Sequence, residues 1–346
     1  MIGRAVRIAV CRPQLPFEFG GVEIFTDRLA AELHARGHDT DVVTVPFQTW
    51  PNQELLASSA LWRLVDLGPA GSSPADLVIA TKYPSYLIEH PNKVVWLVHQ
   101  FRQAYELHGT EHGQFGESAG DRAAREWIVR ADRLALGSAR RLFATSRNVA
   151  GRLERSTGLQ AEVMPHPPQE LPFRCDRFDP FVLSVGRLDP LKRVELLLEA
   201  AALEPSLRLV IAGDGPSRTG LEAQARGLGL GERARFAGRV SEEQLTDLYA
   251  TCGAVFYAPV DEDFGMVPLE AFRSGKPVLT TVDAGGPLDV VRDGETGRVV
   301  EPAPEPVARA LAQLLGSEAT ARRLGAAGRP LAEAVTWDAA FARLLA

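Results

Sequence analysis

The chain has 346 residues, of which 45% are hydrophobic and 24% charged, with a formal net charge of −6. At ~100–200 residues per domain this fits a soluble globular protein of two domains, and it excludes disordered, collagen-like and coiled-coil chains. No apolar run approaches the ~18 residues of a membrane span, and the acidic balance argues against nucleic-acid partners, which require a basic surface.

In chain order, the residues from Met1 to Val10 show no charged-then-apolar leader layout and run into a strand at Arg7–Cys11. Val22, Phe25, Leu29, Ala30 and Leu33 have helical spacing, and Gly37 stands where a helix ends in a left-handed residue. Further strands are expected at Asp41–Val45, Leu77–Ala80, Val94–Val98, Leu142–Thr145 and Ala161–Met164. Pro165, Pro167, Pro168, Pro172 and Pro180 then crowd a stretch that suits neither a helix nor a central strand, so it reads as an interdomain linker. Beyond it, strands are expected at Phe181–Val185, Leu207–Ala212, Arg235–Ala237, Ala254–Ala258, Val278–Thr281 and Arg298–Val300. Helices are expected at Val194–Leu203 and Glu242–Ala250, the second opened by the capping pair Ser241 and Gln244. This alternation implies an α/β protein with two doubly wound parallel sheets, which take ligands at the carboxyl ends of their strands, in the cleft between the halves. The expected boundaries are 1–167, 168–332, and a terminal helix over 333–346, carrying Trp337, that crosses back to the first domain. Cys11, Cys175 and Cys252 are scattered and odd in number, which suggests neither disulfides nor a metal ligand set and points to a reducing, cytoplasmic setting.

Each strong chemical signal follows a strand. Gly186-Arg187-Leu188-Asp189-Pro190-Leu191-Lys192 combines a guanidinium fork with a point charge, which suits a diphosphate. Only four of the 38 basic residues are lysine (Lys82, Lys93, Lys192 and Lys276), so a lysine in a loop stands out. Gly20-Gly21 opens a helix where backbone N–H groups meet an anion. The dinucleotide fingerprint is missing after the first strand, and Gly213-Asp214-Gly215-Pro216 reads as a tight turn, which disfavours a nicotinamide enzyme. Glu262-Asp263-Phe264-Gly265-Met266-Val267-Pro268-Leu269-Glu270 sets two carboxylates around a Phe-Gly turn at a helix start, and such a pair accepts from the hydroxyls of a sugar and a ribose. The plainer readings are a solvated basic loop and two unrelated acids. Asp261-Glu262-Asp263 spells an Asp-x-Asp pattern, but hard cations need further oxygen ligands, so no metal is expected. His99 ends an apolar strand, a place suited to a catalytic histidine. His108 and His112 stand four apart, but Gly109 and Gly113 argue against the helix that would pair them on a metal. The segment 121–155 holds nine arginines against four acids, a largely solvated surface with a basic face for an anionic membrane or a phosphorylated acceptor.

Together these residues resemble the retaining glycosyltransferases of family 4 (group 1 glycosyltransferases), whose GT-B fold has two Rossmann-like domains facing a central cleft. The resemblance runs through Gly186-Arg187 with Lys192, Gly213-Asp214-Gly215-Pro216, Phe236-Ala237-Gly238-Arg239-Val240, Glu262 and Glu270, Gly275-Lys276-Pro277-Val278, Gly285-Gly286-Pro287, and Asp293-Gly294 with Gly297. In the first domain it rests on Gly20-Gly21, His99 and the Trp337 region. It implies that Arg187 and Lys192, beside Gly186, neutralise a nucleotide-sugar's diphosphate, and that Glu270 binds the ribose while the Val240 backbone meets the base. Glu262, with the N–H groups near Phe264 and Gly265, would hold the sugar; Gly21 would let its loop close on the phosphates, and His99 would lie near the sugar. Arg193 and Asp289 depart from the family's usual Gly and Glu, so a different loop backbone is expected at Arg193. The stretch from Gln100 to Tyr105 is expected to shape an acceptor pocket.

The resemblance implies an acceptor-binding first domain, a nucleotide-sugar-binding second domain and a metal-independent hexosyltransferase without cofactor. Its donor would be UDP- or GDP-linked. Its acceptor would be a hydroxyl of a glycan, glycolipid or secondary metabolite, reached in the cytoplasm or at the inner face of the membrane. The rivals are a sugar-nucleotide epimerase of the same fold and a non-catalytic nucleotide-sugar-binding partner.

Overall fold

Strand and helix alternate through the described residues of the computed structural model, which are 5–17, 20–70, 74–111 and 113–346. Met1 and His112, singled out above, lie outside them. The chain divides into two units, one running to His166 and including Ala340–Ala346, the other Pro167–Ala339.

The first unit contains β1 (Arg7–Gln14), α1 (Gly21–Ala35), β2 (Asp39–Pro46), α2 (Asn52–Ala60), β3 (Leu77–Lys82), β4 (Lys93–His99), α3 (Ala119–Gly137), β5 (Arg141–Ala144), α4 (Arg147–Thr157) and β6 (Glu162–Val163). Among the described residues its sheet has six parallel strands in the order β2-β1-β3-β4-β5-β6. A parallel sheet covered on both faces needs strands that are apolar on both sides. Accordingly, Ile8–Cys11 and Val94–Val98 are buried throughout, whereas the edge strand β2 is half-exposed along its length. Helix α1 ends as expected: Gly37 takes a φ of 88°, and the N–H groups of Gly37 and His38 reach the carbonyls of His34 and Leu33. Phe341 and Arg343 near the C-terminus pack on this unit, under the Arg36 guanidinium and against Phe143 and Glu162 respectively.

The second unit contains β7 (Asp179–Val185), α5 (Val194–Leu203), β8 (Leu209–Ala212), α6 (Arg218–Gly227), β9 (Ala234–Gly238), α7 (Glu242–Thr251), β10 (Cys252–Phe256), α8 (Val267–Arg273), β11 (Val278–Thr281), β12 (Gly297–Val300), α9 (Pro304–Leu315) and α10 (Glu318–Glu333). Helix α11 (Trp337–Leu344) follows. The sheet order is β12-β11-β10-β7-β8-β9, all parallel among the described residues. Counted from β7, that is the 3-2-1-4-5-6 order of a doubly wound nucleotide-binding sheet, read from the β9 edge.

Every strand expected from the sequence is present, with ends moved by up to a few residues. One expectation fails: Pro180, assigned to the linker, lies inside the central strand β7. It is tolerated because it is the second residue of β7, where the ladder to β10 is irregular between Cys252 and Ala254 and no N–H is required of it. Helix α10 lies close on α8, and a Cβ at Gly328 would fall 2.3 Å from the Phe272 ring.

Candidate functional site

A doubly wound sheet binds ligands outside the carboxyl ends of its strands, at the point where the strand order reverses. In the second unit that point lies between β7 and β10. The loops leaving those two strands carry Gly186, Arg187 and Lys192 on one side, and Tyr257, Glu262, Phe264 and Gly265 on the other. Lys192 and Glu262, 70 residues apart, form an ion pair, and the Tyr257 hydroxyl donates to the same Glu262 Oε2 at 3.0 Å. Lys192 Nζ lies 3.5 Å from the Tyr257 oxygen. Burial opposes the Lys192 charge, but the Tyr257 and Glu262 oxygens outweigh it and hold the ammonium above its ordinary range. Burial, reinforced by Glu262, pushes the Tyr257 phenol up.

Local structure explains how these loops are held. Asp189 caps the short turn Pro190–Lys192 by accepting from the Leu191 N–H, which presents Lys192 at the mouth of the sheet. Arg193 then adopts φ 50° and ψ 41°, so the backbone expected to differ keeps a glycine-like left-handed turn. The side chain anchors that unfavourable conformation through the Pro259 carbonyl at 3.0 Å and Asp283 at 2.9 Å. The Glu262 loop continues the sheet beside the residues after β11: its N–H reaches the Ala284 carbonyl, and its carbonyl accepts from Gly286. Gly286 permits this approach, because a Cβ there would lie 2.5 Å from the Asp263 carbonyl. Gly265, at φ 82°, packs under Tyr257, whose Cε1 would lie 2.6 Å from a Cβ.

Arg187 is exposed, and its side chain has no hydrogen bond or ion pair among the described residues. Gly186 contributes its turn at φ 146°, while its own N–H is bound to the Ala212 carbonyl. Gly213, at φ 140°, lets its loop pass against that of Gly186, since a Cβ there would lie 1.8 Å from the Gly186 carbonyl. Val240 is half-buried in the loop between β9 and α7. Glu270 lies in the first turn of α8, which starts near Met266 as expected. It is buried and accepts from the Tyr249 hydroxyl at 2.7 Å. Burial raises its pKa, and the Tyr249 bond pulls the other way.

In the first unit the strand order reverses between β1 and β3, where Gly20, Gly21 and Lys82 lie. Gly20 does not offer its N–H to an external anion: it is bound to the Glu23 carboxylate at 2.9 Å, whose other oxygen lies 3.7 Å from Lys82 Nζ. Space remains at Gly21, where a Cβ would meet nothing within 4 Å. Arg12 braces the helix start through the Glu23 carbonyl, Thr26 and Asp27. His99, which pairs in register with Lys82, ends β4. Its Nδ1 lies 2.6 Å from the Gln100 carbonyl, and a carbonyl only accepts. Nδ1 therefore carries the proton, which makes Nε2 the acceptor in the neutral ring.

One expectation in this unit is corrected. Gln100 and Tyr105 do not shape an acceptor pocket: both side chains turn inward to Asp132, at 3.2 and 2.8 Å, because that buried carboxylate needs donors. The arginine-rich segment is largely solvated as expected, with Arg122, Arg130, Arg133, Arg140, Arg147 and Arg155 exposed, while Arg152 is buried on Glu106 at 3.1 Å and Arg125 binds the Ala104 carbonyl at 2.7 Å. Sequence reading missed Tyr257, Glu23 and Asp132. Lys82 carried a signal in its rarity; the others had none that distinguishes them from ordinary core or helix residues.

Residues 175–330, most of the second unit, match the family described as glycosyl transferases group 1. D-inositol 3-phosphate glycosyltransferase from Streptomyces griseus subsp. griseus is 35% identical over 172 residues, covering 46% of this chain and 36% of the relative. The protein of that name from Nocardia farcinica is 37% identical over 172 residues, covering 46% and 38%. The chain thus spans little more than a third of the length of these relatives. Among solved structures, sucrose-phosphate synthase from Thermosynechococcus elongatus superimposes with a TM-score of 0.77 at 20% identity, over 96% of both chains. Anabaena HepE in complex with UDP and glucose gives 0.69 at 18% identity, over 95% of both. At these identities the likeness establishes the fold, that of the GT-B glycosyltransferases.

Proposed function

We propose that the chain moves a hexose-type sugar from a nucleoside-diphosphate donor to a hydroxyl acceptor, retaining configuration and using neither metal nor cofactor, with the second unit, most of which matches the group 1 glycosyl transferases, as its donor-binding part. The observation that carries this reading is the convergence of Lys192, Glu262 and Tyr257, with Arg187 exposed beside them, where the strand order reverses in the second sheet. Cations placed where charge develops on a departing diphosphate are an efficient form of electrostatic catalysis. The buried Glu270 suits ribose hydroxyls, and Glu262 suits those of the sugar. The UDP and glucose bound by HepE, a neighbour in fold, support a nucleotide-sugar donor. For the acceptor we propose a hydroxyl compound met by the first unit.

A thermal-shift panel with UDP, GDP, ADP and dTDP, each with Mg²⁺ or with excess chelator, tests the donor assignment. A ligand at 100 times its Kd stabilises a fold by about 2.7 kcal/mol, well within detection. One base shifting the protein equally in both conditions is expected. Absence of any shift refutes the diphosphate site, and a shift that requires Mg²⁺ refutes metal independence.

A further inference from the structure

We propose that the Tyr257 hydroxyl holds Glu262 in place for the donor's sugar when Lys192 turns to the diphosphate, which makes Tyr257 a positioning residue for donor recognition. This rests on the donor site proposed above and adds to it a residue that no sequence motif marked. The starting point is a conflict in the site. Glu262 Oε2 is shared by Lys192 Nζ and the Tyr257 hydroxyl, so one of the cations meant for a diphosphate is already engaged by the carboxylate meant for a sugar. A diphosphate, with at least two negative charges, outcompetes a single carboxylate for the ammonium. Glu262 then gives up the Lys192 ammonium while its side chain is only 17% exposed, so the donors that stay with it matter more.

Tyr257 is built to remain. It is 7% exposed, and its ring is clamped against Gly265, so the hydroxyl has little freedom to leave Glu262. With its pKa raised, the phenol stays a donor throughout the working range. The hydroxyl keeps Oε2 of Glu262 satisfied and holds the carboxylate in the orientation that the sugar meets. In this arrangement Lys192 reads the diphosphate, and Tyr257 with Glu262 reads what is attached to it.

Tyr257→Phe removes only the hydroxyl and keeps the ring against Gly265. The test compares the variant with the wild type by calorimetry, using the nucleoside diphosphate that shifts the wild type and its glucose conjugate. The expected result is nucleotide affinity within about twofold of wild type and a loss of ~10-fold for the sugar conjugate, the scale of one hydrogen bond to a charged group. KM for the donor rises in step while kcat changes less. Glu262→Gln should lose the same preference for the sugar conjugate, and adding Tyr257→Phe to it should change little further, because the two act through one contact. Equal losses for both ligands would reduce Tyr257 to a structural support, and no loss for either would show the hydroxyl idle; each overturns the inference. A wild type that binds none of the four nucleotides instead refutes the donor site itself, a failure visible before any variant is made.

Discussion

Asp132→Asn is expected to stabilise the first unit in a pH-dependent way. Asp132 is fully buried on α3, and burial pushes its carboxyl up to about 7 from an ordinary 3.8, against the pull of Tyr105, Tyr86 and Gln100. The folded state therefore holds a proton that the unfolded state releases above pH ~4, so stability falls as pH rises from about 4 to about 7 and then levels off. At about 1.36 kcal/mol per pKa unit, the cost is about 4 kcal/mol at pH 8 and about 2 kcal/mol at pH 5. Asparagine stays neutral at both. Its carbonyl can accept from Tyr105 and Gln100, the two donors that meet Asp132 Oδ2 in the fold. Urea unfolding at pH 5 and pH 8, followed by tryptophan fluorescence, reports mainly on this unit, because four of the five tryptophans, Trp50, Trp62, Trp96 and Trp127, belong to it. His166, lowered to about 4 by burial, gives the wild type an opposing slope in which stability falls as pH drops from 6.5. That slope is common to both proteins and cancels in their difference. A variant no more stable than wild type at pH 8, or a gap equal at the two pH values, would refute the reasoning.

Arg187→Ala should lower turnover by ~10²-fold or more, as for one preorganised electrostatic donor, with the melting temperature unchanged because the side chain is exposed; near-normal turnover would contradict its role at the diphosphate. Gly213→Ala should destabilise the second unit by several kcal/mol or abolish its folding, because the new Cβ would lie 1.8 Å from the Gly186 carbonyl at a φ of 140°. A melting curve of wild-type stability would show that the two loops can separate freely. For Arg193→Gly, relief of about 1 kcal/mol of backbone strain opposes loss of a charged hydrogen bond worth ~1.5–3 kcal/mol, so modest net destabilisation is expected in a urea melt.

The elements were legible in the sequence because they are local. Apolar runs such as Val94–Val98 and the 3.6-residue spacing from Val22 to Leu33 report which faces are buried, and Gly37 marks a helix end through its own φ preference. The loops bearing Arg187, Lys192, Glu262 and His99 could be singled out because polar residues at the exits of buried strands have few structural uses. Strand order is not local. Nothing in the periodicity of β7 or β10 states that they are neighbours, yet that adjacency brings Lys192 to Glu262 across 70 residues of chain. The same holds for Tyr257, which reads as one more core aromatic until its hydroxyl is seen on Glu262, and for Asp132, which reads as a helix-surface acid until α3 buries it. Arg193 and Pro180 show the converse: residues whose intrinsic preference opposes their conformation or place, held there by Pro259 and Asp283 in one case and by a ladder irregularity in the other. Sequence alone determined the alternating elements and the loops that carry the chemistry. Tertiary structure decided which of those loops meet, because contact between distant residues depends on the order in which strands join a sheet, and that order is selected by packing energy summed over the whole unit.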